Sequence, residues 1–265
     1  MDATLTQTRA AVARPDEGWS APVLQPRDGR IERVAVRVGT GHPVLVFLGV
    51  MLTGLALIAM VSTALGFLVT RVLLHVHSIA AADEHFVRWL AAHRTPFRTD
   101  LSLVGSMGSG GVVLPIVIGA TALAFAVMRH WRMAAFVVCV LAVESASYRI
   151  TTLVIHRHRP QVHRLENLPV NASYPSGHTA ASIAVYWGLA LLLSSMIQNR
   201  LFRVAVWSVA VLIPVFEALS RMYRGMHHPL DVAGGVVIGI ASLFVLVLAC
   251  RASGAAATGL AGDRP

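Results

Sequence analysis

Lysine is absent from this 265-residue chain, and charge of either sign is scarce. Charged residues make up 13% of the sequence, against about 25% in soluble domains. So few charges cannot cover a water-facing surface, which excludes an ordinary soluble domain. Cysteine is nearly absent too. Cys139 and Cys250 each lie in or beside an apolar run, which excludes a disulfide framework and leaves two small packing residues. Residues 1–40 lack the short apolar core of a cleaved leader. The glycine-rich run Gly105–Gly111 lacks the Gly-Lys-Ser/Thr of a nucleotide-binding loop, so it reads as a flexible lead-in to an apolar segment.

What the chain has is apolar sequence. Hydrophobic residues are 55% of it, and mean hydropathy is +0.66. A spanning helix needs about 20 mostly apolar residues. Segments 43–70, 111–128, 133–155, 179–197, 204–219 and 232–250 meet or approach that length, and Pro214 marks a candidate kink in the fifth. The expected fold is all-α, a six-span transmembrane helical bundle. The membrane domain is expected over 41–251, between disordered tails at 1–40 and 252–265.

The net charge is +9, and every basic residue is Arg. These arginines sit between apolar runs, where they anchor spans and meet anionic headgroups. No nucleic-acid-binding motif accompanies them, so nucleic acid is not an expected partner. Six spans put both termini on one side and the connections 71–110, 156–178 and 220–231 on the other. The Arg-dense turns 129–132 and 198–203, with Arg30, Arg33 and Arg37, place the termini in the cytoplasm. A cell-membrane protein whose polar connections face outward follows. Within the first connection, residues 84–92 suit an amphipathic interfacial helix with Phe86 and Trp89 toward lipid.

Three polar clusters interrupt the apolar pattern: His156-Arg157-His158-Arg159-Pro160, Tyr174-Pro175-Ser176-Gly177-His178, and the stretch from Ser220 to Asp231. Parity puts all three at one membrane face. Phosphoryl transfer needs fixed positive donors around the equatorial oxygens. Arg159 and Arg221 offer forked donors, Ser176 a hydroxyl, and Gly177 an unobstructed backbone N–H. His178 falls at the start of the fourth span, where the helix dipole favours an anion. His227 and Asp231 stand four apart, one turn on a helix. A carboxylate there can orient one ring nitrogen and leave the other to attack phosphorus, while His178 protonates the leaving alkoxide.

The second and third clusters resemble the signatures of the type 2 phosphatidic acid phosphatase superfamily, which includes vanadium-dependent haloperoxidases. Pro-Ser-Gly-His is complete at Pro175–His178, and Ser-Arg-x5-His-x3-Asp is complete at Ser220, Arg221, His227 and Asp231. The resemblance covers roughly residues 43–250. It implies a metal-independent, cofactor-free membrane lipid phosphatase, with the site at one membrane face. His227 would form a phosphohistidine, Asp231 would orient it, and His178 would act as the acid. Arg159, Ser176, Gly177 and Arg221 would hold phosphate. The implied substrates are a polyprenyl pyrophosphate, phosphatidic acid or phosphatidylglycerophosphate.

The first signature, Lys-x6-Arg-Pro, is incomplete. Arg159-Pro160 fits, but Thr152 stands where Lys is expected. Arg149, one turn earlier, and Arg157 are the candidates to replace that cation. Arg149 has a second reading, an ion pair with Glu144 or Glu217 inside the bundle. Two other activities fit parts of the pattern: a lipid phosphotransferase using the same intermediate, and a non-enzymatic transporter or scaffold.

Overall fold

The computed structural model describes residues 21–26, 29, 30, 33, 34 and 42–262, with side chains as far as residue 258. The architecture is all-α, and no strand forms among the described residues. After a 3-10 turn, η1 (Pro22–Leu24), come α1 (Pro43–Arg71), α2 (His77–Ala92), α3 (Pro96–Gly108) and α4 (Val113–Val127). Then follow α5 (Trp131–Val154), α6 (Gly177–Met196), α7 (Arg200–Tyr223) and α8 (Pro229–Gly262). Among the described residues five helices are long and apolar enough to cross a membrane, and α3 and α4, bent by 41° at their break, make a sixth when the pair is counted as one span. Large apolar side chains such as Leu153, Leu212 and Phe244 lie exposed around the bundle, as lipid contact allows.

The second span differs from its expected form. Residues 96–108 are helical, and the break falls at 109–112, within the glycine-rich run. Thr95 caps α3 by accepting from the Arg98 N–H, with Pro96 opening the helix. Thus α3 is a half-span entering from the end that carries the polar connections. The helix expected over 84–92 in the first connection is present as α2, which starts earlier, at His77.

Both tails depart from the expected disorder where they are described. Ala21 and Leu24 are buried in the main core, and Arg251 Nε donates to the Val23 carbonyl. Helix α8 continues past residue 251 to Gly262, with Ala252 and Ala256 buried against Val46 of α1. Residues 1–20, 27, 28, 31, 32 and 35–40 of the N-terminal tail lie outside the described residues.

Packing is built on small residues. Gly54, Ser62 and Gly66 lie on the buried side of α1, spaced by multiples of four, letting helices approach closely where lipid supplies no hydrophobic drive. Pro214 does not interrupt α7. In α6, residues Ile183–Trp187 form a π turn, the local widening often seen near functional sites.

Candidate active site

The chain reversal between α7 and α8 builds the core of the site. Gly225 has φ 74°, a left-handed conformation that only glycine adopts without strain. Its N–H donates to the Met222 carbonyl, and the Met226 N–H donates to the Arg221 carbonyl. This pair of bonds is the Schellman closure of a helix, and it delivers His227 to the start of α8. Pro229 then takes the first helical position and Asp231 the third. Asp231 Oδ2 accepts the His228 N–H at 2.8 Å, half of a capping box. The run His228-Pro229-Leu230-Asp231 is therefore a helix start as well as a chemical motif.

Asp231 is fully buried and heavily bonded. It receives Arg157 Nη1 on Oδ1 at 2.5 Å and Ser173 Oγ on Oδ2 at 2.6 Å. His227 Nδ1 stands 3.8 Å from Oδ2 but only 2.7 Å from the Ser173 carbonyl. A carbonyl can only accept, so it fixes the proton on Nδ1 and leaves Nε2 with its lone pair. The shorter orienting contact on His227 is thus backbone, with Asp231 alongside. Burial pushes His227 down to about 4, and the Arg221 and Arg159 charges add to this against the pull of Asp231. The ring is neutral at pH 7, with its Nε2 lone pair uncommitted.

Helix α2 supplies partners with no place in the three sequence clusters. Asp83, itself buried, pairs with Arg157 Nη2 and accepts the Leu230 N–H at 3.0 Å. Glu84 Oε2 bonds His228 Nε2 at 2.9 Å. Arg157 therefore links two carboxylates, one from α2 and one from the histidine motif. It takes no position as a free phosphate cation.

The other arginines divide their work. Arg159 donates to the backbone carbonyls of Pro169, Ala172 and Met226, bracing the 156–176 connection against the α7–α8 turn. Arg221 is fully buried, and Nη1 donates to Ser106 Oγ at 2.6 Å and Glu166 at 2.7 Å. Its Nε and Nη2 meet no acceptor. Buried guanidinium N–H groups without a partner are costly, and a tetrahedral oxyanion is the acceptor they fit. Arg224 Nε bonds the other oxygen of Glu166 at 2.6 Å. Burial opposes ionisation of Glu166, but Arg221 and Arg224 hold its carboxyl down at about 2.

Ser176 is buried. Its N–H bonds the Asp231 carbonyl at 2.9 Å, and its Oγ lies 2.9 Å from Thr179 Oγ1. Gly177 faces the Tyr148 ring, where a Cβ would come within 2.9 Å. His178 is half-buried and feels the charges of Arg221, His227, Glu166 and Arg159. The structure thus gathers His227, Asp231, His178, Ser176, Gly177, Arg159 and Arg221 at one end of the bundle. Arg149 stands apart: it is exposed on α5, and neither Glu144 nor Glu217 pairs with it. Thr152 Oγ1 bonds its own helix at the Tyr148 carbonyl. Ser102 and Ser106 of α3 also join the site, through Arg224 and Arg221. Their spacing, with Thr99, along one face of α3 was the available sequence signal.

Residues 133–254 match the PAP2 superfamily, the type 2 phosphatidic acid phosphatases. The chain is 25% identical over 188 residues to phosphatidylglycerophosphatase B of Bacillus subtilis, covering 70% of this chain and 92% of that one. It is 32% identical over 104 residues to an undecaprenyl-diphosphatase of Sulfolobus acidocaldarius, covering 39% of this chain and 46% of that one. The crystal structure of a transmembrane PAP2-type phosphatidylglycerolphosphate phosphatase from Bacillus subtilis superposes with a TM-score of 0.62. The match spans 73% of this chain and 92% of that one at 22% identity, a likeness of fold.

Proposed function

The chain belongs to the PAP2 superfamily, and on that premise we propose that it hydrolyses a phosphomonoester or pyrophosphate of a membrane lipid through a phosphohistidine on His227. The observation that carries the reading is the pairing of a neutral, buried His227 with an Arg221 whose Nε and Nη2 await an acceptor.

A phosphate or terminal phosphoryl group binds with its equatorial oxygens on Arg221 and the Ser176–Gly177 segment. Nε2 of His227 attacks phosphorus in line as the bond to the leaving oxygen breaks. His178 gives that oxygen a proton, forming the lipid alcohol or the lipid monophosphate. Water then attacks the phosphohistidine, with the now neutral His178 taking its proton, and inorganic phosphate leaves. Asp231 and the Ser173 carbonyl stabilise the charge that develops on the His227 ring.

The relatives' names supply two substrate classes, a glycerophospholipid monophosphate and a polyprenyl diphosphate. An extracytoplasmic site, set by the Arg-dense turns on the opposite side, suits either. The test is phosphate release in detergent, with chelator present, from polyprenyl pyrophosphate, phosphatidic acid and phosphatidylglycerophosphate. Release from at least one of them is expected. Flux without hydrolysis would support a transporter instead.

A further inference from the structure

One carboxyl group beside the phosphate pocket has no cation on it. Glu217 lies on α7, one turn before Arg221, and is fully buried. Arg221 sends Nη1 away from it, to Glu166 and Ser106. Glu217 Oε2 is 3.2 Å from Thr179 Oγ1, and Thr179 Oγ1 is 2.9 Å from Ser176 Oγ. Glu217 Oε1 meets no donor. Two hydroxyls and one carboxyl thus form a chain that ends at the residue assigned to phosphate.

The direction of that chain matters, because each hydroxyl carries a single proton. If Glu217 is ionised it can only accept. Thr179 then donates to Glu217, Ser176 donates to Thr179, and Ser176 presents only lone pairs to an anionic phosphate. If Glu217 is the neutral acid, the chain runs the other way. Its O–H donates to Thr179, Thr179 donates to Ser176, and Ser176 is free to donate into the pocket. The partnerless Oε1 fits the second arrangement. There it is one carbonyl oxygen, whereas in the first it is half of an anion inside a membrane span, without a donor.

We propose that Glu217, acting as a neutral acid through Thr179, turns the Ser176 hydroxyl toward the substrate phosphate as a donor. Glu217 and Thr179 are positioning residues, and neither touches substrate. The inference rests on the phosphatase reading, in which Ser176 holds phosphate.

Orthovanadate binding to the purified full chain, followed by calorimetry, tests this independently of turnover. Glu217→Gln keeps an N–H donor toward Thr179 and is expected to bind within about twofold of the parent. Glu217→Leu and Thr179→Val break the chain, and each is expected to weaken binding roughly 10- to 100-fold, the worth of one hydrogen bond to a charged group. Thr179→Ser should restore it, and the Glu217→Leu/Thr179→Val pair should lose no more than either alone. A merely structural Glu217 would give no such rescue pattern. Parent-like binding by Glu217→Leu overturns the proposal, as does Glu217→Gln losing as much as Glu217→Leu, which would mean the ionised form is needed. If the parent neither binds orthovanadate nor releases phosphate, the phosphatase reading itself fails. If the parent does both and the variants match it, only the relay fails.

Discussion

Arg157 is the residue whose removal the structure makes most consequential outside the shared motifs. It is buried between Asp83 of α2 and Asp231 of α8, with one Nη on each carboxylate. Substituting Arg157→Met keeps length and apolar stem but strips both carboxylates of their cation. Asp231 retains Ser173 Oγ and the His228 N–H, and Asp83 retains the Leu230 N–H. Those neutral donors do not offset a buried charge, and breaking a buried pair by removing one partner costs about 3–5 kcal/mol. The two acids would then repel each other, moving Asp231 and with it the start of α8 that carries His227. Both Nη groups of Arg157 are taken by carboxylates, and the proposed mechanism gives it no phosphate contact, so kcat should fall by about 100-fold, the scale of a small misplacement of a reacting group, while KM changes far less. Arg157→Lys keeps the charge without the fork and should lie between. Adding Asp83→Asn to Arg157→Met should recover part of the stability, with a coupling of about 0.5–3 kcal/mol. Equilibrium unfolding in detergent and phosphate-release kinetics measure these effects. An Arg157→Met protein within about 0.5 kcal/mol of the parent, the scatter of ordinary surface substitutions, would refute the reasoning. So would strict additivity with Asp83→Asn.

Other outcomes follow from the same contacts. Glu166 is held near 2, below its ordinary 4.5. Its contribution to stability is therefore complete above about 4.5 and is lost as pH falls toward 2. Glu166→Gln should unfold with a weaker acid dependence than the parent across that window, and parallel acid curves would contradict the pairing. His227, the proposed nucleophile, is lowered to about 4 in the free protein and deprotonated above that pH, so the acid limb of kcat/KM due to it should fall near 4; a His227 limb at 6.5 would contradict its burial. Gly177→Ala would drive a methyl into the Tyr148 ring, at about 1–3 kcal/mol. The expected result is lower stability and weaker orthovanadate binding, both partly restored by Tyr148→Leu, and full activity in Gly177→Ala would contradict the close contact.

Much of this site is legible in the sequence because its chemistry is local. His227 and Asp231 are one helical turn apart, and the flanking Pro229 makes that helix start readable. The spans of α1 and α8 are visible because their apolar runs, 43–70 and 232–250, are nearly unbroken. The first half of the second span was hidden for the opposite reason. This half, α3, places Arg98, Asp100, Ser102 and Ser106 among its apolar residues, because one face meets Tyr223, Arg224 and Arg221 instead of lipid. The role of Asp83 had no local signal at all. Its partners Arg157 and Leu230 lie 74 and 147 residues along the chain, and only the fold brings α2 over the start of α8. Arg157 and Arg159 look alike in an Arg-His-Arg run. Their division into carboxylate bridge and backbone brace depends on which way an extended strand-like segment turns them, held by the pairing of Arg157 with Ala172.

The proposed chemistry makes His227 a covalent carrier, and trapping is its most direct test. The protein is mixed with lipid carrying a radiolabelled terminal phosphate and quenched in alkali within a single turnover, since a phosphohistidine survives base but not acid. Label on the parent chain at His227, and none on His227→Ala together with loss of phosphate release, is the predicted result. Undiminished phosphate release by His227→Ala, or label residing on another residue, would contradict the account.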